Sequence, residues 1–360
     1  MKRVLHVYPQ LNCGGTEMVL YNLIKFGNHS DFQFDILAQI DGDNEKIFRD
    51  LGCNIHYIKK EPSRYYQDLL YFFLTENFDV VHAHMDIDLP IVLKAAKEAD
   101  VKCRVAHSHN ARTDIPKFFW PLLYPKHHPY EQYATDLFGC SSMALKWLFP
   151  SQWRNGHIIH NGIDLEKFRF NPETRRKVRK ELSISDTTKV YINVGRCTEQ
   201  KNQKFILEIA SKRSDKDELF LIVGDGPLYS ILSQRIKDLN LNNVILLGKC
   251  TNVEKLLSGA DTFLFPSIYE GLGIVAVEAQ ASGLKVIASD SIPMEADMKI
   301  GNFKAINLKD IDEWTTEISN SLYSNDERVE LSAKTFSSQY NIFNVTKEVE
   351  NIYNSRLVKY

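Results

Sequence analysis

Short runs of β-branched and aromatic residues recur along the whole chain, and helix-period segments separate most of them. Seven runs fall in the first half: Arg3–Tyr8, Phe34–Gln39, Asn54–Ile58, Val80–His84, Arg104–His109, Leu137–Cys140 and His157–His160. A second series begins at Val190–Val194 and continues through Phe220–Val223, Val244–Leu247, Thr262–Phe265, Val286–Ala288 and Lys304–Ile306. Helix-period patterns such as Glu17–Phe26, Gln67–Glu76, Asn202–Ala210 and Leu228–Asp238 lie between them. Strands that alternate with helices predict parallel sheets covered by helices on both faces. Two successive series predict two doubly wound domains of the Rossmann type. The 360 residues exceed what a single core usually spans, which points the same way.

The interdomain boundary is expected within residues 161–188, "NGIDLEKFRFNPETRRKVRKELSISDTT". Asn-Gly, a proline and a charge-dense helix pattern come there before the next strand. The expected division is residues 1–165, residues 166–340, and a terminal helix over 341–360 that packs back on the first domain. The run "RRKVRK" reads as a solvated helix, because acids flank it and no aromatic platform accompanies it. Near-balance of 44 basic and 46 acidic residues gives no global preference for nucleic acid. Six scattered cysteines fit a reducing cytoplasm rather than a disulfide scaffold. The start "MKRVLHVYPQ" is too short and polar for a signal peptide, and no run of 18 apolar residues occurs.

Four signals lie at the ends of expected strands, where ligands bind in open parallel sheets. "NCGGTE" (residues 12–17) follows the first strand; its glycines suit either a tight turn or backbone approach to an anion. "NVGRCTEQKNQ" (193–203) puts Arg196 and Lys201 between a strand and a helix, where two cations could hold a diphosphate. "IVGDGPL" (222–228) is a sharp turn into a helix that could also line a nucleotide pocket. The fourth, "PSIYEGLGIVAVEAQ" (266–280), sets Glu270 before a helix start and Glu278 on the second turn. Only two glycines and apolar residues lie between the carboxylates. Even a fully helical path holds them roughly 12 Å apart, too far for one metal ion to bind both. Between them stand backbone N–H groups of a helix N-terminus, an anion site. Hydroxyl clamp, phosphate site, hydroxyl clamp is the polarity of a nucleotide-activated sugar.

On these residues the chain resembles glycosyltransferase family four, the retaining family with the GT-B fold. The likeness is to the bacterial enzymes of capsule and exopolysaccharide assembly. It is carried by "GGTE", "VGRCTEQKN", "IVGDGP", "PSIYEGLGIVAVEAQASGLKVIASD" and "NGID" at Asn161–Asp164, and it extends over nearly the whole chain. Departures are Cys197, where members often carry an apolar residue after the arginine, and Lys249–Thr251, which gives little guidance on base contacts. The resemblance implies two Rossmann-like domains facing a cleft, an acceptor-binding first domain and a donor-binding second. It implies that Arg196 and Lys201 hold the donor diphosphate, that Glu270 binds sugar hydroxyls, and that Glu278 binds the ribose. Gly273, Ile274 and Val275 would offer backbone groups to the phosphate–sugar region. Gly14, Gly15 and Gly224 would complete the donor site, and His109, or His107 in the alternative register, would approach the sugar. Catalysis would fall to His109, Arg196, Lys201 and Glu270. The expected donor is a UDP-sugar and the acceptor a saccharide, free or polyprenyl-linked, without a cofactor. A noncatalytic nucleotide-sugar-binding protein is the alternative of a different class.

All eleven histidines precede residue 161. "HAH" (His82, His84) and "HSH" (His107, His109) end two strands, with each pair on one face by the period of two. They could bind a metal or serve as hydrogen-bonding groups, and Asp86 and Asp88 of "MDID" could form an Asp-x-Asp metal motif; the family pattern favours no metal. His84 could line the cleft or be structural. The aromatic and basic segment Ala111–Tyr133 fits either a lipid headgroup zone or a loop packed on the first domain. The membrane reading makes the protein cytoplasmic and peripheral on the inner face of the membrane.

Overall fold

The computed structural model describes residues 1–11, 15–86, 88–110, 130–213, 217–320 and 322–358. The chain folds as two compact units, Met1–Ile163 with Ile342–Tyr360, and Asp164–Asn341. The first holds strands β1 (Lys2–Gln10), β2 (Phe32–Ile40), β3 (Asn54–Tyr57), β4 (Val80–Ala83), β5 (Cys103–Ser108), β6 (Asp136–Gly139) and β7 (His157–Ile158). They form one sheet in the order β3-β2-β1-β4-β5-β6-β7, every pairing parallel.

Alternation along the strands gives this sheet two unlike faces. Leu5, Val7, Val81, Ala83 and Ala106 join Leu69, Phe73, Val92 and Leu93 of helices Tyr65–Glu76 and Leu89–Glu98 in an aliphatic core. The opposite face carries His6, His82 and His107, all essentially without exposure. Helix Ile342–Leu357 belongs to this unit: Tyr353 stands edge-on to His82 (ring centroids 5.9 Å) and to Phe32 (6.1 Å). Arg356 forms an ion pair with the buried carboxylate of Asp136 at 2.8 Å, and Phe343 meets Phe26 edge-on at 5.1 Å.

The second unit holds β8 (Lys189–Val194), β9 (Glu218–Val223), β10 (Val244–Gly248), β11 (Thr262–Phe265), β12 (Lys285–Ser289) and β13 (Phe303–Ile306). Its parallel order is β10-β9-β8-β11-β12-β13. Among the described residues no helix is long and apolar enough to cross a membrane. The aromatic and basic segment lies outside the described residues, apart from the short helix Tyr130–Tyr133.

The basic run on helix Pro172–Glu181 differs from the solvated helix its flanking acids suggest. Arg176, Lys177 and Lys180 are exposed, but Arg179 is 1% exposed and Arg175 is turned inward. The reason is a knot of acceptors at the end of helix Val253–Gly259. Arg175 reaches Asp261 Oδ1 at 2.6 Å, and Arg179 reaches Asp261 Oδ2 at 2.7 Å and the carbonyl of Gly259 at 3.0 Å. Arg328, fully buried, donates to the carbonyls of Leu257, Ser258, Ala260 and Ser282. Unmatched helix-end carbonyls are thereby satisfied by guanidinium forks. Asp261 is the one carboxylate in direct ion pairs with these guanidinium groups among the described residues, pairing with Arg175 and Arg179. Asp261→Ala leaves cations buried without their counterion, so urea unfolding of the full chain is expected to register a loss of about 3–5 kcal/mol. A loss below about 1 kcal/mol would mean that the carbonyls alone hold the arginines.

Candidate active site

In both sheets the strand order reverses beside the first strand, between β1 and β4 and between β8 and β11. Connections leave those neighbouring strands in opposite directions, which opens a crevice at their C-terminal ends. In the second unit the loops that leave β8 and β11 carry the expected cations and carboxylates.

The two loops are sewn together. Ile268 N donates to the Gln200 carbonyl (2.8 Å), Gln200 Nε2 to the Tyr269 carbonyl (3.0 Å), and Asn202 Nδ2 to the Pro266 carbonyl (3.1 Å). This brings Lys201 Nζ to 2.6 Å from Glu270 Oε1, across 69 positions of sequence. Glu270 is only 6% exposed and Lys201 is partly exposed, so the pair is a charge-assisted hydrogen bond with its carboxylate end enclosed. Arg196 is exposed, and among the described residues its guanidinium has no hydrogen-bond or ion-pair partner. Cys197, beside it, is fully buried, a small apolar filler under the loop.

Two glycines are required by contact. At Gly224 (φ +137°) a Cβ would stand 2.0 Å from the Gly195 carbonyl oxygen, so only glycine lets the "GDG" turn lie against the arginine loop. Gly273 (φ +86°) precedes helix Ile274–Ala281 in the left-handed region, and a Cβ there would stand 2.6 Å from the Phe265 ring. Among the described residues no side chain caps this helix, which leaves first-turn N–H groups of Ile274 and Val275 for an anion. Glu278, one turn on, is half-buried. Burial raises its carboxyl to about 8, with Lys167 pulling it down and Glu254 pushing it up. A carboxyl so raised favours its protonated form at neutral pH, which can both donate and accept a hydrogen bond.

In the first unit, Gly14 lies outside the described residues and Gly15 opens helix Gly15–Lys25. The two carboxylates of "MDID" take different partners. Asp88 pairs with Lys60 at 2.6 Å and accepts from Gln39, whereas Asp86 accepts from Asn110 at 3.1 Å. His84 and His109 come together beyond the ends of β4 and β5, and His107 and His82 lie deeper. Two three-histidine groups, His6/His82/His84 and His84/His107/His109, have ring nitrogens within 4.8 Å of one another, a spacing a metal ion could use. Ring-to-ring hydrogen bonds already occupy several of those nitrogens. His6 and Tyr353 were not expected in this group. His6 carried a usable signal, its place on the same alternation as the histidine pairs, whereas nothing near Tyr353 pointed to it.

Residues 13–167 match the family model described as Glycosyltransferase Family 4, and residues 174–336 match Glycosyl transferases group 1. EpsF of Bacillus subtilis (strain 168), which carries a glycosyltransferase name, is 33% identical over 336 residues, 88% of this chain and 87% of that one. The chain belongs to glycosyltransferase family 4. This family 4 glycosyltransferase is also 29% identical, over 77% of its length and 74% of the relative's, to an Escherichia coli protein named UDP-Gal:alpha-D-GlcNAc-diphosphoundecaprenol alpha-1,3-galactosyltransferase. The crystal structure of Anabaena Alr3699/HepE with UDP-glucose superposes with a TM-score of 0.83 at 17% identity, covering 99% of this chain and all of that one. The fold is GT-B, built from two Rossmann-like units.

Glu278 gives this glycosyltransferase a pH signature. Its folded pKa lies above the unfolded value, so as pH rises from about 4.5 to 8 the unfolded chain ionises first and stability falls. Glu278→Gln removes that penalty. Its stability relative to the parent should grow by on the order of 1.4 kcal/mol per pH unit across that window. Urea midpoints measured at pH 5 and pH 8 check this, and an equal gap at both values would refute the raised pKa of Glu278.

Proposed function

We propose that this glycosyltransferase moves a hexose, with retention at the anomeric carbon, from a UDP-sugar to a saccharide carried on a polyprenyl diphosphate. The setting is assembly of cell-surface polysaccharide, with the enzyme cytoplasmic and peripheral on the membrane. The observation that carries the reading is the content of the β8/β11 crevice: a partnerless Arg196, the Lys201–Glu270 pair, an uncapped helix N-terminus and a neutral Glu278. The undecaprenol acceptor named for the Escherichia coli relative and the UDP-glucose bound by the Anabaena neighbour support the choice of acceptor and donor.

Each group then has a part. Arg196 and the N–H groups of Ile274 and Val275 take the diphosphate, where negative charge grows as the sugar departs. Lys201 adds a second cation while it orients Glu270 towards sugar hydroxyls. Glu278, with one O–H donor and a free acceptor, suits the paired hydroxyls of a ribose. His109 hydrogen-bonds the sugar. In the step itself, the acceptor oxygen bonds to the anomeric carbon on the face the phosphate leaves. The carbon–oxygen bond to UDP breaks, and the acceptor proton passes to the departing phosphate. Positioning and charge stabilisation supply the acceleration. Protein cations stand where a divalent ion would otherwise neutralise the diphosphate, so the reaction proceeds without metal.

Acceptor-dependent release of UDP from one member of a UDP-sugar panel, with the product anomer read by NMR, tests this. Binding of UDP-sugars with no transfer to any lipid-extract acceptor would instead favour a noncatalytic binding protein. Turnover should survive EDTA; loss that Mn²⁺ restores would overturn metal independence. Glu278→Ala should weaken UDP binding by the value of a hydrogen bond at a charged site, about 1.5–3 kcal/mol. Glu270→Gln should depress transfer and leave UDP affinity nearly unchanged. Equal effects of the two changes on UDP affinity would contradict these roles.

A further inference from the structure

Register and alternation place five histidines on one face of the first sheet. His6 of β1 pairs with His82 of β4, and His82 pairs with Val105 of β5, so odd-numbered positions of β5 share that face. His82, His84, His107 and His109 follow from the period of two. Their rings form two hydrogen-bonded files. In one, Tyr353 Oη stands 2.5 Å from His82 Nδ1, and His82 Nε2 stands 2.9 Å from His107 Nδ1. In the other, His6 Nδ1 is 2.9 Å from His84 Nε2, and His84 Nδ1 is 2.8 Å from His109 Nε2. All five are buried, and burial lowers the pKa of each, His6 to about 3 and His109 to about 4, so the rings are neutral.

A proton count then constrains the second file. Three neutral imidazoles carry three N–H groups, and two ring-to-ring bonds use two of them. The third proton sits at one end, on His6 Nε2 or on His109 Nδ1. Those two nitrogens have no partner among the described residues. His6 is the inner end, stacked on Phe34 with centroids 6.0 Å apart. Both end nitrogens are buried, so the third proton is placed by what each end can reach: His6 Nε2 is enclosed within the unit, whereas His109 stands at the strand end, where a ligand oxygen can accept. The file is therefore polarised outward: His6 Nδ1–H donates to His84, His84 Nδ1–H donates to His109, and His109 bears its proton on Nδ1. His109 is 8% exposed and lies just past the end of β5, the ligand-binding edge of the sheet.

We propose that His84 and His6 are positioning residues that lock His109 as the Nδ1–H tautomer, making it a hydrogen-bond donor to a sugar oxygen and not a base. The contact with sugar rests on the function proposed above; the tautomer does not. A neutral histidine side chain without such a partner favours the Nε2–H form, so the file must act against that preference.

Long-range ¹⁵N–¹H correlation spectra of the full chain at neutral pH, without ligand, read the tautomers directly. His109 is expected as Nδ1–H in the parent, and finding it as Nε2–H would overturn the proposal whether or not any donor is turned over. His84→Leu should release His109 to the Nε2–H form and lower kcat/KM for the donor at least tenfold. His84→Asn, whose amide stands where Nδ1 stood, should keep the Nδ1–H form and recover activity to within about threefold of the parent. His84→Leu with the Nδ1–H form retained, or with unchanged kcat/KM, would also overturn it. An Nδ1–H His109 whose replacement by Ala leaves the donor KM and kcat unchanged would remove the sugar contact while the fixed tautomer stood.

Discussion

A parallel strand can be followed by its neighbour only after a crossover, and that requirement organises both units. Every pairing found in the two sheets is parallel, so all strands of a sheet end on the same edge. Helices cover both faces, and backbone there is satisfied by the ladders. The C-terminal edge is where chain leaves the sheet with unspent N–H groups, glycine turns and polar side chains. The reversal of strand order beside β1 and β8 then parts neighbouring loops. Loops at Gly195–Asn202 and Pro266–Gly273 are adjacent because β8 and β11 are adjacent, although some 70 residues separate them along the chain.

Polar groups are buried in quantity here, and each set is satisfied by a different device. Three arginines gather the carbonyls at the end of helix Val253–Gly259 around Asp261. The interior histidines remain neutral and bond to one another, which avoids the larger cost of burying charge. The Lys201–Glu270 pair is a short ion pair at the crevice edge, where solvent still reaches the lysine. Glu278 takes the opposite course and keeps its proton. Two glutamates eight positions apart thus meet unlike surroundings: Glu270 pairs with an ammonium, whereas burial pushes the carboxyl of Glu278 up to about 8.

Much of this was legible beforehand. The strands of the described residues fall where β-branched and aromatic runs stand, and the central ones, such as Val80–Ala83 and Thr262–Phe265, are buried along their whole length. Glu270 and Glu278 were legible as a pair because glycines and apolar residues isolate them around a helix start. The run Arg175–Lys180 misled, since its two inward arginines follow helical period but their acceptors sit at and just past the end of another helix. Period alone cannot tell a solvated cation from one that meets a carbonyl cluster.

The fold class and the number of strands in each series could be read from the sequence alone. Those rest on local properties: hydrophobic period and turn residues. Only the tertiary structure decided who meets whom. The partnership of Lys201 with Glu270, of Asp261 with Arg179 and of Tyr353 with His82 spans tens to hundreds of residues. It depends on strand order, which local pattern leaves open. The protonation of Glu278 and of the histidine file was decided at the same level, because a pKa responds to the low-dielectric surroundings and hydrogen-bond partners that exist only once the sheets have been assembled.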